Sequence, residues 1–322
     1  MEQIRESVPY IVVESTLESA LLWVAVLAFL RWSNPPSPRI REVLFLFVLL
    51  APVTLATFFH MLPSVFSPLP LIIAQPVGRL IDLWIPASAP LLWLFLVTGV
   101  LAGASFLVFL WRQRKQWLQA RSDWQSQQLD PSPLHSRCDG LLQVLAARAC
   151  VHVPRLVLTD GKNAGSLAFV PCGYIFVPQA LAAQLDDEEL QALLAHEVAH
   201  IVRWDGLLDT LSRGCCSLML FNPIAYLALA RFHRERELAT DDRAIKLGCS
   251  RLALASCLLR AYRLTRSRAY AGVTELLGCE NALEERVQRM ISPPEYKEPS
   301  RRAWLVVGMF AAAVMVVMGI LI

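Results

Sequence analysis

The chain has 322 residues, of which 55% are hydrophobic and only 18% are charged, whereas an average soluble domain carries about 25% charged residues. The mean hydropathy is +0.45, and a net charge of +3 is too small a bias to favour nucleic acid as a partner. This composition excludes a disordered chain and argues against a purely soluble one. We therefore expect a membrane protein that carries a water-soluble part.

Long apolar stretches lie at both ends of the chain, and a helix needs about 20 such residues to cross a bilayer. Basic residues follow the first and third stretches and precede the fourth, whereas the loop 63–86 carries only Arg79. Because basic flanks lie in the cytoplasm, we predict an α-helical multi-pass protein of the cell (inner) membrane, in contact with the lipid bilayer and with both termini outside the cytoplasm. The four stretches are 10–30, 43–62, 87–111 and 303–322.

This topology divides the chain into three parts. Residues 1–111 form three transmembrane helices with short loops, 112–302 form a cytoplasmic domain, and 303–322 form the fourth transmembrane helix. All eight cysteines lie in 112–302, which suits a reducing compartment where thiols stay free.

Strand patterns come first in the candidate chemical part of this domain. Residues 155–159 are apolar and β-branched, and the runs 167–170 and 174–177 flank a turn at Pro171-Cys172-Gly173. An extended substrate can add to an exposed strand edge. The candidate substrate-binding residues are Leu167, Ala168, Phe169 and Val170.

A helix is predicted to begin at Asp186, because this residue can cap it and the acids at 187–189 suit its first turn. The helix carries the motif H-E-x-x-H at His196, Glu197 and His200. Residues four apart share one helix face, so both imidazoles can bind one Zn²⁺. Glu197 can then act as general base toward a water molecule that the zinc activates.

A catalytic zinc usually has three protein ligands, and Glu237 is the best candidate for the third. Asp241, one turn further along a second helical pattern, can hold a ligand histidine by its other ring nitrogen. His233, Glu235 and Asp242 are competing candidates for the third ligand.

The apolar segment 206–230 separates the two motifs and is interrupted at Asn222-Pro223. A single membrane crossing would put His200 and Glu237 on opposite sides, which a joint metal site forbids. The segment is therefore a core hairpin, an interfacial element or a re-entrant pair.

The strand pair, the H-E-x-x-H helix, Phe221-Asn222-Pro223 and Arg234-x-Arg236-Glu237-x-x-x-Asp241 together resemble the integral-membrane metallopeptidases of the β-lactam receptor (BlaR/MecR) type. The resemblance implies a cytoplasmic α+β domain of the gluzincin type that binds one Zn²⁺. It assigns metal binding to His196, His200 and Glu237, peptide hydrolysis to Glu197 and support of the site to Asp241. Those receptors continue into a penicillin-binding sensor domain that we do not expect in this chain, so a separate sensor or repressor protein is a possible partner.

The main functional hypothesis is a membrane-embedded zinc endopeptidase that cleaves a cytosolic or membrane-associated regulatory protein, as a signal-transducing, repressor-cleaving protease does. The first alternative is a protease of the Ste24/HtpX-like type, which processes or clears membrane proteins. The second alternative is a non-proteolytic membrane transducer with a structural zinc or none. Structural zinc sites usually have four Cys or His ligands, and only two histidines are well placed here.

Overall fold

The computed structural model describes residues 2–33, 37–61, 89–129, 132–159, 168–169, 173–268, 273–292 and 299–321. The chain divides into two compact units. Unit 1 comprises Met1–Trp111, Leu211–Glu235 and Tyr296–Ile322, and unit 2 comprises Arg112–Thr210 and Arg236–Glu295.

Unit 1 is built from apolar helices. Helices α1 (Glu2–Trp32) and α2 (Pro38–Met61) pack against each other and bury Leu22, Val26, Leu44 and Leu49 completely. In the same unit, the side-chain amide of Asn222 donates a hydrogen bond of 2.9 Å to Ser19 Oγ. The helices near the two ends of the chain that contribute residues to unit 1 are α1 (Glu2–Trp32), α2 (Pro38–Met61), α3 (Ala89–Leu129) and α11 (Arg301–Leu321).

The prediction of an α-helical multi-pass membrane protein is wrong for the described residues, where no helix combines the length and apolar character that a membrane crossing requires. The apolar stretches do form helices, but part of their apolar surface is buried between neighbours, as in the contact of α1 with α2. Hydropathy averages over a segment and does not distinguish this helix contact from contact with lipid. The loop 63–86 lies outside the described residues, and the predicted domain boundaries and cellular location stay predictions.

Unit 2 contains a three-stranded sheet of strands β1 (Arg155–Thr159), β2 (Ala168–Phe169) and β3 (Tyr174–Pro178), in the order β1-β3-β2. β1 runs parallel to β3, and β2 runs antiparallel to it. Gly173 precedes β3 with a φ of 68°, a left-handed conformation that glycine adopts without a steric penalty. The strands predicted at 155–159 and 174–177 are confirmed.

The C-terminal part of α3 is attached to this sheet by side-chain contacts. Gln127 Nε2 donates to the carbonyl oxygen of Leu158 at 2.6 Å, and Leu158 N donates to Gln127 Oε1 at 2.8 Å. Trp124 packs edge-on against Tyr174, with 6.4 Å between ring centroids, and the guanidinium of Arg155 lies 4.6 Å from the centroid of the Trp124 ring. The end of this helix is therefore packed against strands β1 and β3 of the sheet.

Helix α6 (Asp187–Val202) runs through the core of unit 2, where it packs against α4 (Pro133–Ala149) and α9 (Arg251–Arg268). It begins with a capping box, in which Asp186 accepts from Glu189 N at 2.8 Å and Glu189 accepts from Asp186 N at 3.3 Å. The predicted helix start is thus confirmed. The remaining helices are α4 (Pro133–Ala149), α5 (Gln179–Ala182), α7 (Asp205–Leu218), α8 (Pro223–Lys246), α9 (Arg251–Arg268) and α10 (Val273–Ile291).

Candidate metal centre

Helix α6 presents two histidines on one buried face. His196 is 6% exposed and His200 is 8% exposed. Their Nε2 atoms lie 3.1 Å apart, although the two rings are almost perpendicular. The two nitrogens therefore converge on one point beside the helix, as the four-residue spacing predicts.

Helix α8 brings Glu237 to the same point. Its Oε2 lies 3.5 Å from His196 Nε2, and its Oε1 lies 3.9 Å from His200 Nε2. Zinc–ligand bonds of about 2.1 Å in tetrahedral geometry separate the ligand atoms by about 3.4 Å. Among the residues that the structure describes, these three side chains form a group close enough to bind one ion, with all ligand atoms within 4.8 Å.

The competing candidates for the third ligand lie elsewhere. Glu235 pairs in unit 1 with Arg41, with 2.8 Å between its Oε2 and Arg41 Nε. Asp242 pairs with Arg289 at 3.2 Å. His233 lies beside the ring of Phe232 and does not belong to the group of three.

Asp241 contacts the ring nitrogen of His196 that faces away from this group, with 3.0 Å between Asp241 Oδ1 and His196 Nδ1. Arg286 on α10 donates to both oxygens of Asp241, from Nε to Oδ2 at 2.7 Å and from Nη2 to Oδ1 at 2.8 Å. Its third nitrogen, Nη1, lies 3.3 Å from Glu237 Oε2. The sequence analysis did not single out Arg286, because no local pattern relates it to residues 45 positions earlier.

Asp205 provides the corresponding contact for His200, with 2.7 Å between Asp205 Oδ2 and His200 Nδ1. The same oxygen accepts hydrogen bonds from Thr240 Oγ1 at 2.9 Å and from Arg203 Nε at 3.2 Å. Asp205 is only 2% exposed. The sequence analysis missed this residue, although an acid five positions after the second histidine, where the next helix begins, was an available signal.

Glu197 lies on α6 between the two histidines and is 1% exposed. Its Oε2 has no hydrogen-bond partner among the described residues, which is unusual for a buried polar atom. Burial raises the pKa of this carboxyl to about 8, and the neighbouring Glu237 carboxylate adds to the rise. The unpaired oxygen indicates that a polar partner, such as water, belongs at this position.

The surrounding charges act differently on the three candidate ligands. Burial lowers the pKa of His200. At His196, burial acts in the same direction, but the contacts with Asp241 and Glu237 outweigh it and raise the pKa to about 10. Burial would raise the pKa of Glu237, but His200, His196 and Arg286 hold it well below its usual range. The group therefore contains an ionised carboxylate that suits a cation.

The candidate substrate-binding residues are described only in part. Ala168 and Phe169 form β2, which lies at one end of the sheet order, whereas Leu167 and Val170 lie outside the described residues. The other end of the sheet is β1, whose Leu158 is already paired with Gln127. The role of residues 167–170 stays a prediction.

Two histidines on one helix, a glutamate between them and a carboxylate from a second helix form the arrangement with which metallopeptidases bind their catalytic ion. Residues 83–290, more than half of the chain, match the family model described as BlaR1 peptidase M56. The chain belongs to this family of metallopeptidases, which confirms the resemblance to the BlaR/MecR type, and its substrate is a protein or peptide. A search of the curated proteins found no match.

Proposed function

We propose that this protein is a zinc-dependent endopeptidase in which His196, His200 and Glu237 bind the metal ion. The donor set supports zinc, because two imidazole nitrogens and one carboxylate oxygen are ligands that zinc accepts in catalytic sites. Their spacing supports it as well, because the two Nε2 atoms lie 3.1 Å apart and the two oxygens of Glu237 lie 3.5 Å from His196 and 3.9 Å from His200, close to the tetrahedral value. Three protein ligands leave a fourth position for water or substrate.

The residues around the metal centre have different roles in peptide hydrolysis. A zinc ion bound there supplies polarisation of a water molecule and of the scissile carbonyl group. Glu197 accepts the proton from that water on its unpaired Oε2 and delivers it to the leaving amine. Asp241 and Asp205 hold the Nδ1 sides of the two histidines, so that each Nε2 faces the centre.

The substrate that we propose is a regulatory protein, cleaved to transmit a signal as a repressor is. Membership of the BlaR1 peptidase family supports this class of substrate, and a separate sensor or repressor protein is then the expected partner. An extended segment of the substrate would add to the sheet at β2, next to Ala168 and Phe169. Leu167 and Val170 flank these residues and would extend the same contact.

The observation that carries this proposal is the group of three ligand atoms beside the buried Glu197, whose Oε2 has no hydrogen-bond partner among the described residues. The experiment is substrate trapping in cells with the Glu197→Gln variant, crosslinked, purified and compared with the wild-type protein. We expect the variant to retain zinc, to enrich one regulatory protein and to cleave it about 10²–10⁴-fold more slowly, because it lacks the general base.

Glu188→Gln is the matched control, since Glu188 is an exposed glutamate in the first turn of the same helix. It should cleave the same protein as fast as the wild type. Cleavage by Glu197→Gln at the wild-type rate would refute the mechanism. Enrichment of many unrelated, misfolded proteins would replace the regulatory role by the quality-control role of the Ste24/HtpX-like alternative.

A further inference from the structure

Arg286 is a largely buried cation that contacts two acids of α8, Asp241 and Glu237, at the metal centre. Its side chain is 15% exposed, and all three guanidinium nitrogens, Nε, Nη1 and Nη2, contact acids of α8. Two of these nitrogens bind Asp241, and a third lies near Glu237. A bidentate pairing of guanidinium and carboxylate is strong and orientationally specific.

The contacts of Arg286 extend to the histidine through Asp241. Each oxygen of Asp241 accepts one N–H group from the guanidinium, so the plane of the carboxylate is fixed. Oδ1 of that carboxylate lies 3.0 Å from His196 Nδ1. For Nε2 of His196 to bind a metal ion, Nδ1 must carry the ring hydrogen, and a carboxylate oriented beside Nδ1 favours this tautomer.

The contact with Glu237 constrains the third ligand. Arg286 Nη1 lies 3.3 Å from Oε2, whereas the other oxygen, Oε1, is the one nearer to His200 Nε2. A guanidinium held at one oxygen restricts rotation of the carboxylate. The same side chain thus limits the freedom of one histidine ligand and of the carboxylate ligand.

We propose that Arg286 is a positioning residue of the metal centre, which orients His196 through Asp241 and orients Glu237 directly. This inference rests on the proposed metal-binding function of the site. It gives α10, which supplies none of the candidate ligands, control over the geometry of two of them. Replacement of Arg286 therefore weakens zinc binding even where the protein stays folded.

The simpler role for such an arginine is to tie α10 to α8, and Arg289 separates the two roles. Arg289 lies one turn further along α10 and pairs with Asp242, the neighbour of Asp241, at 3.2 Å. Asp242 does not belong to the group of possible ligands. Arg289→Gln therefore removes an ion pair between the same two helices and leaves in place the contacts of Arg286 with Asp241 and Glu237.

The experiment compares four full-length proteins: the wild type, Arg286→Gln, Arg286→Lys and Arg289→Gln. Zinc affinity is measured by competition with a chromophoric chelator, and ligand geometry by the visible absorption of the Co²⁺-substituted proteins. Lysine keeps the charge of arginine but lacks its planar fork. We expect both Arg286 variants to bind zinc about 10–100-fold more weakly, the usual cost of losing such a support, and to change the Co²⁺ spectrum.

We expect Arg289→Gln to keep the zinc affinity and the Co²⁺ spectrum of the wild type. Wild-type affinity and spectrum in Arg286→Gln would overturn the inference, and so would an equal loss of affinity in Arg289→Gln. Full affinity in Arg286→Lys would also overturn it, because charge and not orientation would then suffice. If Arg286→Gln does not fold, Arg286→Lys decides alone. If the wild type itself binds no zinc, the proposed function fails. If the wild type binds zinc and the Arg286 variants bind it equally well, this inference alone fails.

Discussion

The two histidines of the metal centre share one helix but are held by different parts of the molecule. His200 is held by Asp205, five positions later at the start of the next helix. His196 is held by Asp241 on α8, which is in turn held by Arg286 on α10. One support is thus local in sequence, and the other requires three helices to be assembled.

Helix α8 participates in both supports through two adjacent residues. Thr240 donates to Asp205 on the His200 side, and Asp241 accepts from Arg286 on the His196 side. The two sets of contacts indicate that the orientation of His200 depends mainly on the junction of α6 and α7. The orientation of His196 depends on the packing of α6, α8 and α10 in unit 2. Substitutions on the two sides should therefore have unequal effects.

The largest effect is expected for Asp241→Ala. It removes the bidentate partner of a buried arginine, and breaking a buried ion pair in this way costs about 3–5 kcal/mol of the free energy of unfolding. Urea unfolding of the zinc-free protein measures this loss, with Asp205→Ala as the comparison. A smaller loss for Asp241→Ala than for Asp205→Ala would contradict the unequal supports.

Removal of the metal ion provides a second test of the comparison. At a free zinc concentration of 100 times Kd, bound zinc stabilises the wild type by about 2.7 kcal/mol relative to the chelated protein. In Asp241→Asn we expect an affinity about a hundredfold weaker, so the same zinc concentration would contribute only about 0.4 kcal/mol. Thermal unfolding with zinc and with chelator measures both values, and equal stabilisation of the two proteins would refute this expectation.

Asp205→Asn should have an intermediate effect. Three donors converge on one oxygen of this buried carboxylate, and hydrogen bonds to a charged group contribute about 1.5–3 kcal/mol. The asparagine oxygen can still accept one of them, so the protein should fold and lose part of its stability. Urea unfolding is the measurement, and a stability equal to that of the wild type would show that the His200 support is dispensable.

The smallest effect is expected for Thr240→Val, which keeps the side-chain shape and removes one donor to Asp205. Loss of such a hydrogen bond costs about 1 kcal/mol, and the pairing of Asp241 with Arg286 should be unaffected. In an Asp205→Asn background the cost of Thr240→Val should shrink, because the two residues are coupled. Additive effects in this double-mutant cycle would indicate that the contact contributes nothing.

Local patterns predicted the parts of the site that lie on single helices. Capping and four-residue spacing predicted the start of α6 and the shared face of His196 and His200. The structure brings Glu237 to the same group and places Asp241 beside Nδ1 of His196. Arg286 could not be predicted, because it meets α8 only through tertiary packing. For the described residues the membrane fold was wrongly predicted for a related reason, since hydropathy carries no information about which apolar surfaces face each other.

In the segment 206–230, the sequence predicts where the helical structure is interrupted. The structure ends α7 at Leu218 and begins α8 at Pro223. Between them, Asn222 accepts a hydrogen bond from Ile224 N at 3.0 Å, which satisfies a free donor at the start of α8. The dipeptide Asn222-Pro223 predicted the position of this interruption. It did not predict how α7 and α8 pack.

The pairing of Gln127 with Leu158 has a consequence for how the sheet can grow. Strand β1 lies at one end of the sheet order, and the side-chain amide of Gln127 occupies both the N–H and the C=O of Leu158, as a peptide group of a neighbouring strand would. Any polypeptide that adds to this edge must first displace the amide. A helix thus substitutes for a neighbouring strand at Leu158, and the side chain of Gln127 must move away before another chain can pair there.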